Sequence, residues 1–270
     1  MITFTIKLTI LTHYLIKNKG EVMAKTTIKE HIINCTKNKY YFHINDLKKY
    51  FTEKEIRFEE DTLKRYLYLF KKNKLIYTAG RGWYSNIKKE FELDTKPVEK
   101  IIRLIKNKFP LLEFSCWSTE QLKGFFHHLP SQFITFIYAD KDFLQSVKDL
   151  LIENDYNVYL NPYKIEAEKF VELKTKTVIL RPSISSRVPK EKNRAKIEKI
   201  LVDLFMETKK ISFIDEEEYK RIFSNVIVSY RINIAEMLDY ADRREARERI
   251  WYTIMKVINP LMPDYYKIWH

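Results

Sequence analysis

Glu172-Leu-Lys174 leads into a β-branched run, and Asp155 lies seventeen residues upstream. This is the outline of a metal-dependent nuclease, in which Asp and Glu hold Mg²⁺ and a Lys steadies the attacking water. The same Glu-x-Lys spacing recurs at Glu218-Tyr-Lys220, which a Lys-rich chain yields by chance, so Asp155, Glu172 and Lys174 stand as an alternative site only. Asp140-Lys-Asp142 follows an apolar stretch but lacks the Gly-Ser turn that precedes the metal-holding acids of nucleotidyltransferases; a helix cap is expected there. His127-His128 has no third ligand at metal spacing and suits a helix end. Cys116 is expected to be a buried thiol, since nothing in the sequence supplies it with a base. The four glycines, at 20, 80, 82 and 124, exclude a dinucleotide fingerprint and a Walker loop. Two distant cysteines, Cys35 and Cys116, exclude a zinc ribbon or disulfide framework and fit a reducing cytoplasm. The chain is therefore expected to be non-enzymatic, with no metal and no cofactor.

What such residues do depends on the elements that hold them and on the field around them. Of 270 residues, 49 are Lys or Arg and 36 Asp or Glu, a net +13. Residues 1–90 carry 19 basic and 9 acidic side chains (+10), whereas residues 91–270 carry 30 and 27 (+3). A compact basic segment on a nearly balanced body points to a polyanion, with nucleic acid the first candidate. At 45% hydrophobic and 14% aromatic the chain can bury a core, which excludes wholesale disorder. Residues 1–16 are apolar-rich but fall short of the ~20 residues that span a bilayer, so no membrane partner is expected. Phe4, Ile6, Leu8 and Ile10 alternate as in a strand. With Met23 as a natural second start, residues 1–22 are expected to be a dispensable extension.

From Lys25 the periods turn helical. Ile28, His31, Ile32 and Cys35 make a first helix ending near Lys37. Asn45 or His43 caps a second, Asp46 to Phe51, and a third runs from near Glu59 to Lys72, burying Leu63, Tyr66, Leu67 and Phe70. Glu59, Glu60 and Asp61 suit its positive end. Leu75-Ile-Tyr-Thr78 and Trp83-Tyr84, joined through Gly80-Arg-Gly82, predict a hairpin tipped by Arg81. Three helices and then a basic-tipped hairpin is the order of a winged helix-turn-helix over residues 23–90. In that fold the third helix enters the major groove and the wing touches the backbone. Thr62, Lys64, Arg65 and Tyr68 are then the expected contacts, with Lys71, Lys72 and Arg81 on phosphates. A winged helix that contacts only proteins is a second possibility.

Residues 91–97 read as a polar linker ending at Pro97. Residues 98–190 alternate in type: a helix from Val98 to Lys108, a strand from Leu112 to Cys116, a helix from Thr119 to His128 capped by Ser118, and a strand from Phe133 to Tyr138. A helix from Lys141 to Asn154 follows, with Phe143, Val147, Leu150 and Leu151 inward, then strands at Tyr156–Leu160 and Thr177–Pro182. This predicts a small α/β domain of four or five strands. Residues 191–270 read as a helical region packed on it: Ala195 to Glu207, Glu216 to Val228 opened by Asp215, Ile234 to Tyr240 capped by Asn233, and a last helix from Arg243 or Arg244 to Ile258, stopped by Pro260. Arg243, Arg244, Arg247 and Arg249 form a cluster expected on a solvated face; Arg243, Arg244 and Arg247 could alternatively meet a partner's acidic surface. The fold class expected is thus mixed α+β, with a winged helix, a central α/β domain and a helical C-terminal region.

Three stretches carry a family likeness. Thr62-Leu-Lys-Arg-Tyr-Leu and then Gly80-Arg-Gly-Trp-Tyr84 resemble the winged helix, ending in a Gly-x-Tyr wing, of AbiEi-type antitoxins, the regulators of type IV toxin–antitoxin (abortive infection) pairs. Cys116-Trp-Ser-Thr-Glu-Gln-Leu-Lys-Gly124 is similar to that family's strand-to-helix segment. Lys199-Ile-Leu-Val-Asp-Leu-Phe205, followed by Asn233 to Tyr240-Ala-Asp-Arg-Arg244, resembles its helical tail. Trp83 stands where the family usually has Val, and Lys123 where it has His. The resemblance implies an autoregulator that binds its own operator and counters a nucleotidyltransferase-type toxin through its C-terminal region.

Overall fold

A computed structural model describes residues 23–163, 172, 174–184, 187–211 and 213–258. The strand pattern of Phe4–Ile10 and the extension 1–22 lie outside the described residues, as do residues 259–270 of the expected tail with Pro260. The described residues are mixed α/β with two sheets.

The first unit opens with α1 (Met23–Thr36), β1 (Tyr41–His43) and α2 (Ile44–Glu53). His43, not Asn45, caps α2: its Nδ1 accepts from the Asn45 N–H at 3.2 Å, and the Asp46 carboxylate accepts from the His43 N–H at 2.8 Å. This reciprocal box satisfies donors that the first helical turn leaves open. α3 (Glu60–Lys72) buries Leu63, Leu67 and Phe70. These pack with Ile32, Phe42, Leu47, Phe51 and Ile76 into a core of their own. The hairpin is β2 (Tyr77–Thr78) and β3 (Trp83–Ser85), and β1 adds a third antiparallel strand in the order β1-β3-β2. β1, hidden in the sequence between two helices, was not anticipated.

The larger sheet has six strands rather than four or five: β4 (Phe114–Ser118), β5 (Ile134–Ala139), β6 (Asn157–Leu160), β7 (Thr177–Pro182), β8 (Lys190–Glu191) and β9 (Arg194–Ala195), in the order β6-β7-β5-β4-β9-β8. The two extra strands are two residues each, too short for any alternation to show. β5, β6 and β7 run parallel, and β4 is antiparallel to β5. Period-two alternation sorts the side chains. Ile137, Ala139, Val178 and Leu180 face α4 (Lys96–Lys108) and α5 (Leu144–Ile152), while Phe136, Tyr138 and Ile179 face the C-terminal helices. Those helices are α6 (Ile197–Thr208), α7 (Glu216–Ser229), α8 (Ile234–Arg243) and α9 (Arg247–Ile258).

Local chemistry moved several boundaries. The segment after Ser118 is a 3-10 helix, Thr119–Phe125, that stops short of His128. Asp140 caps a 3-10 turn, Lys141–Phe143, which leaves Phe143 45% exposed and turns Leu144 inward in its place. Ala195 belongs to β9 and not to the helix that follows. Residues 91–97 do not hang free: Glu90 bridges Arg231, the Phe91 N–H donates to the Arg231 carbonyl at 3.0 Å, and the Gln121 Nε2 donates to the Asp94 carbonyl at 2.7 Å.

The small sheet is shared between two cores. Phe42 and Tyr84 stack on the side of α1–α3, while Tyr41 and Trp83 turn the opposite way into the core of α6–α9. There the Tyr41 hydroxyl donates to the Tyr230 carbonyl at 2.5 Å and accepts from the Ile232 N–H at 3.0 Å. Burial pushes that phenol's pKa well up. Tyr41→Phe strands both backbone groups, and we expect it to lower the unfolding free energy by about 1–3 kcal/mol in a urea titration. Tyr68→Phe, at an exposed site, should move it by less than about 0.5 kcal/mol.

Candidate nucleic-acid interface

α3 is amphipathic in a way that concentrates cations outward. At roughly 100° per residue, Lys64, Arg65, Tyr68, Lys71 and Lys72 occupy one arc of about 120°, and all five are exposed, Tyr68 at 60%. Thr62 does not join them: it is half-buried and lies on the flank of the helix, outside the arc. The acidic first turn is partly neutralised. Glu60 pairs with Lys48 of α2 at 2.5 Å and with Lys64 at 3.9 Å, which holds its carboxyl below the usual range, and Lys64 also reaches Asp61 at 3.3 Å. Lys71 and Lys72 close the helix at its negative end, where cations are favoured.

Arg81 is exposed at the tip of the hairpin. The turn around it is tight, with φ of +105° at Gly80 and +75° at Gly82. A Cβ at Gly80 would stand 2.1 Å from the Asn233 Oδ1 and 2.5 Å from the Ala235 Cβ; one at Gly82 would meet the His43 ring at 2.4 Å. Only glycine admits both the backbone angle and the approach. The near side of the hairpin thus rests on the start of α8, while Trp83 meets Trp251 edge-on at 5.7 Å. The hairpin is fixed to the body, and Arg81 and the α3 arc are left outside.

The other residues singled out by the sequence fall elsewhere. Glu172 and Lys174 form an exposed ion pair of 2.5 Å, but Asp155, in a turn at φ +62°, pairs with neither. Of the three residues of the alternative nuclease site, Glu172 and Lys174 are thus in contact and Asp155 makes no ion pair with Lys174. Among the described residues no group of three or more His, Cys, Asp or Glu is placed to hold a metal. The His127 and His128 rings touch each other at 4.2 Å, and the His127 backbone donates to Glu218. Cys116 is fully buried, and its thiol pKa is driven far up by desolvation. No helix among the described residues is long and apolar enough to cross a membrane.

Arg244 is a correction. It was expected on a solvated face beside Arg243 and Arg247, yet its side chain is 5% exposed. Arg243 pairs with Asp239 at 2.7 Å, and Arg247 is exposed with a bond to the Leu238 carbonyl at 3.2 Å. Arg244 belongs instead to a buried ionic network that sequence reasoning missed. Lys199, Asp203 and Glu207 line one face of α6, all fully buried. Lys199 pairs with Asp203 and donates to the Tyr240 hydroxyl at 2.9 Å; Tyr240 donates to Asp203 at 2.7 Å. Arg181, on β7, holds Glu207 through Nε at 3.1 Å and Nη2 at 2.6 Å, and Tyr138, its register partner on β5, donates to the same carboxylate at 3.1 Å. The Lys199 ammonium lies over the Tyr138 ring at 3.8 Å. Burial drives its pKa down, to about 8, against the opposing pull of Asp203. The clue was present: α6 is apolar over much of its surface, so Lys199, Asp203 and Glu207, charged residues at i, i+4 and i+8, share one buried face and call for partners.

The chain belongs to a family of unknown function (DUF6577), whose match covers residues 62–259. No curated protein matches the chain. The matched stretch takes in α3 from Thr62 onward, the hairpin, the large sheet and every residue of the buried network, and leaves out α1, β1 and α2. Removing one partner of a buried pair leaves the other charge uncompensated, at about 3–5 kcal/mol. Asp203→Ala should therefore cost that much in a urea titration, whereas Asp142→Ala, exposed on its 3-10 turn, should leave the midpoint within about 0.5 kcal/mol.

Proposed function

We propose that this DUF6577 chain is a DNA-binding regulator, with residues 23–90 acting as a winged helix-turn-helix, and that it serves as the antitoxin-like member of a toxin–antitoxin pair. The single observation that carries the reading is the exposed arc of Lys64, Arg65, Tyr68, Lys71 and Lys72 on α3, flanked by Arg81. The three-stranded sheet adds support, since a strand between the first two helices completes the wing in such units. In this reading α3 lies in the major groove of the chain's own operator, Lys64, Arg65 and Tyr68 approach bases, and Lys71, Lys72 and Arg81 neutralise phosphates. The docked wing presents Arg81 from a fixed position, so the duplex must fit the protein rather than draw the wing out. The toxin-directed role rests on the family resemblance. Of the arginines considered for a partner, Arg243 and Arg247 keep access to it and Arg244 does not.

A second reading is favoured by the docking itself. A hairpin held against α8 and Trp251 is also what a rigid protein-contact module would have. One titration separates the two. Fluorescence anisotropy with duplexes from upstream of the chain's own gene, run from low to moderate salt, should give log K falling linearly with log salt. The Lys71→Ala/Lys72→Ala double variant should flatten the slope by about two units and Arg81→Ala by about one. No retention of duplex at low salt, or an affinity indifferent to salt, would leave the contact-module reading in its place.

A further inference from the structure

A cleft of about 700 Å³ opens where the N-terminal unit, the strap after it and the C-terminal helices meet. That lies within the range of small-ligand sites, which favour such junctions. One wall is the hairpin, Thr78 to Gly80; the others are residues 90–95, the β8–β9 turn with the start of α6, and residues 231–236. Phe91, Leu93, Ile197 and Ile232 give it apolar surface.

Its charge runs against that of the chain. On a protein of net +13, the cleft is lined by four carboxylates, Glu90, Glu191, Glu198 and Glu236, and three cations. Every one of those cations is engaged: Arg231 with Glu90 at 2.6 Å, Lys196 with Glu236 at 3.2 Å, and Arg194 with Glu99, just outside the cleft, at 2.6 Å. Glu191 and Glu198 have no ion pair among the described residues. Glu191 is exposed at the rim. Glu198 is 6% exposed, and its Oε1 accepts from the Asn233 N–H at 2.7 Å. Burial raises the pKa of this carboxyl. A buried carboxylate beside an apolar wall, within the electrostatic reach of Lys196 but in no ion pair, is a group that an incoming ammonium would compensate.

We propose that this cleft binds a small aliphatic di- or polyamine, one ammonium on Glu198, another toward Glu191, and the methylene chain along Phe91, Leu93 and Ile197. The inference does not depend on the DNA-binding reading. The site is tested on the full chain, without DNA, by isothermal calorimetry with putrescine and spermidine. Saturable binding is expected, weakened at least tenfold in Glu198→Gln, which keeps an acceptor for the Asn233 N–H, and severalfold in Glu191→Lys, a rim change that leaves the core untouched. Asp142→Asn, remote from the cleft, should bind as the unaltered chain does. The proposal is overturned by the absence of saturable heat, by equal binding in Glu198→Gln and the unaltered chain, or by heats that MgCl₂ or NaCl of matched ionic strength reproduce. A chain that binds spermidine but no duplex refutes the regulator alone; one that binds duplex but no amine refutes this site alone.

Discussion

A three-stranded sheet with both faces buried sets the terms for everything else in the molecule. A strand sends alternate side chains to opposite faces, so Tyr41 and Phe42, adjacent in the chain, are committed to different cores, as are Trp83 and Tyr84. Burying a large side chain is worth about 1.5–3 kcal/mol. Solvating the outer face would forfeit that stabilisation for Tyr41 and Trp83 and also expose the backbone groups of Tyr230 and Ile232 that the Tyr41 hydroxyl satisfies. The N-terminal unit is therefore not a bead on a string. The strap of residues 90–95 reinforces this, because Arg231 gathers the carbonyls of Ile87 and Lys88 and the carboxylate of Glu90 about its guanidinium.

Fixing the sheet in this way decides which surfaces are left to meet anything else. Helix α3 packs on the inner face through Leu63, Leu67 and Phe70, so its cationic arc points away from the body. The body's own charge is nearly balanced, and much of it is consumed internally. Arg181, Lys199 and Arg244 are matched against Glu207 and Asp203, with two tyrosine hydroxyls and the Tyr138 ring completing the set. The match is uneven. Among the described residues the Arg244 Nε and Nη2 have no hydrogen-bond partner and depend on Asp203 at 3.8 Å and the Tyr138 ring at 5.5 Å. The network pins α6 to the large sheet and α8 to α6, and through α8 it supports the residues on which Gly80 rests.

Much of this could be read from residue order, and what could not has identifiable causes. α3 was plain, because its apolar residues recur at helical spacing over 13 residues and its ends carry the right charges. β7 was plain, because Thr177–Pro182 is β-branched and apolar. β1, β8 and β9 span two or three residues and owe their existence to partners elsewhere in the chain: β1 to β3, β9 to β4. Arg244 misled because it sits among three other arginines and four acids, the composition of a solvated face; only its place at the helix end, turned toward Asp203, makes it internal. The candidate interface was legible residue by residue apart from Thr62. The docking of the hairpin was not, since nothing local to Gly80 announces Asn233, 153 positions later.

That long-range contact ties the tip of the hairpin to the cleft. Tyr41 and Trp83 hold the sheet deep in the core, and the turn Gly80-Arg81-Gly82 is seated at its near side on α8. It touches α8 through a single close approach at Asn233 and Ala235, and the Ala235 N–H to Ala79 carbonyl contact is long, at 3.4 Å. Its two glycines tolerate changes of backbone angle that other residues resist. Asn233 also ties this contact to the cleft, since its N–H donates to Glu198 while its side chain caps α8. The residue that seats the tip of the hairpin and the carboxylate that lines the cleft are therefore one hydrogen bond apart.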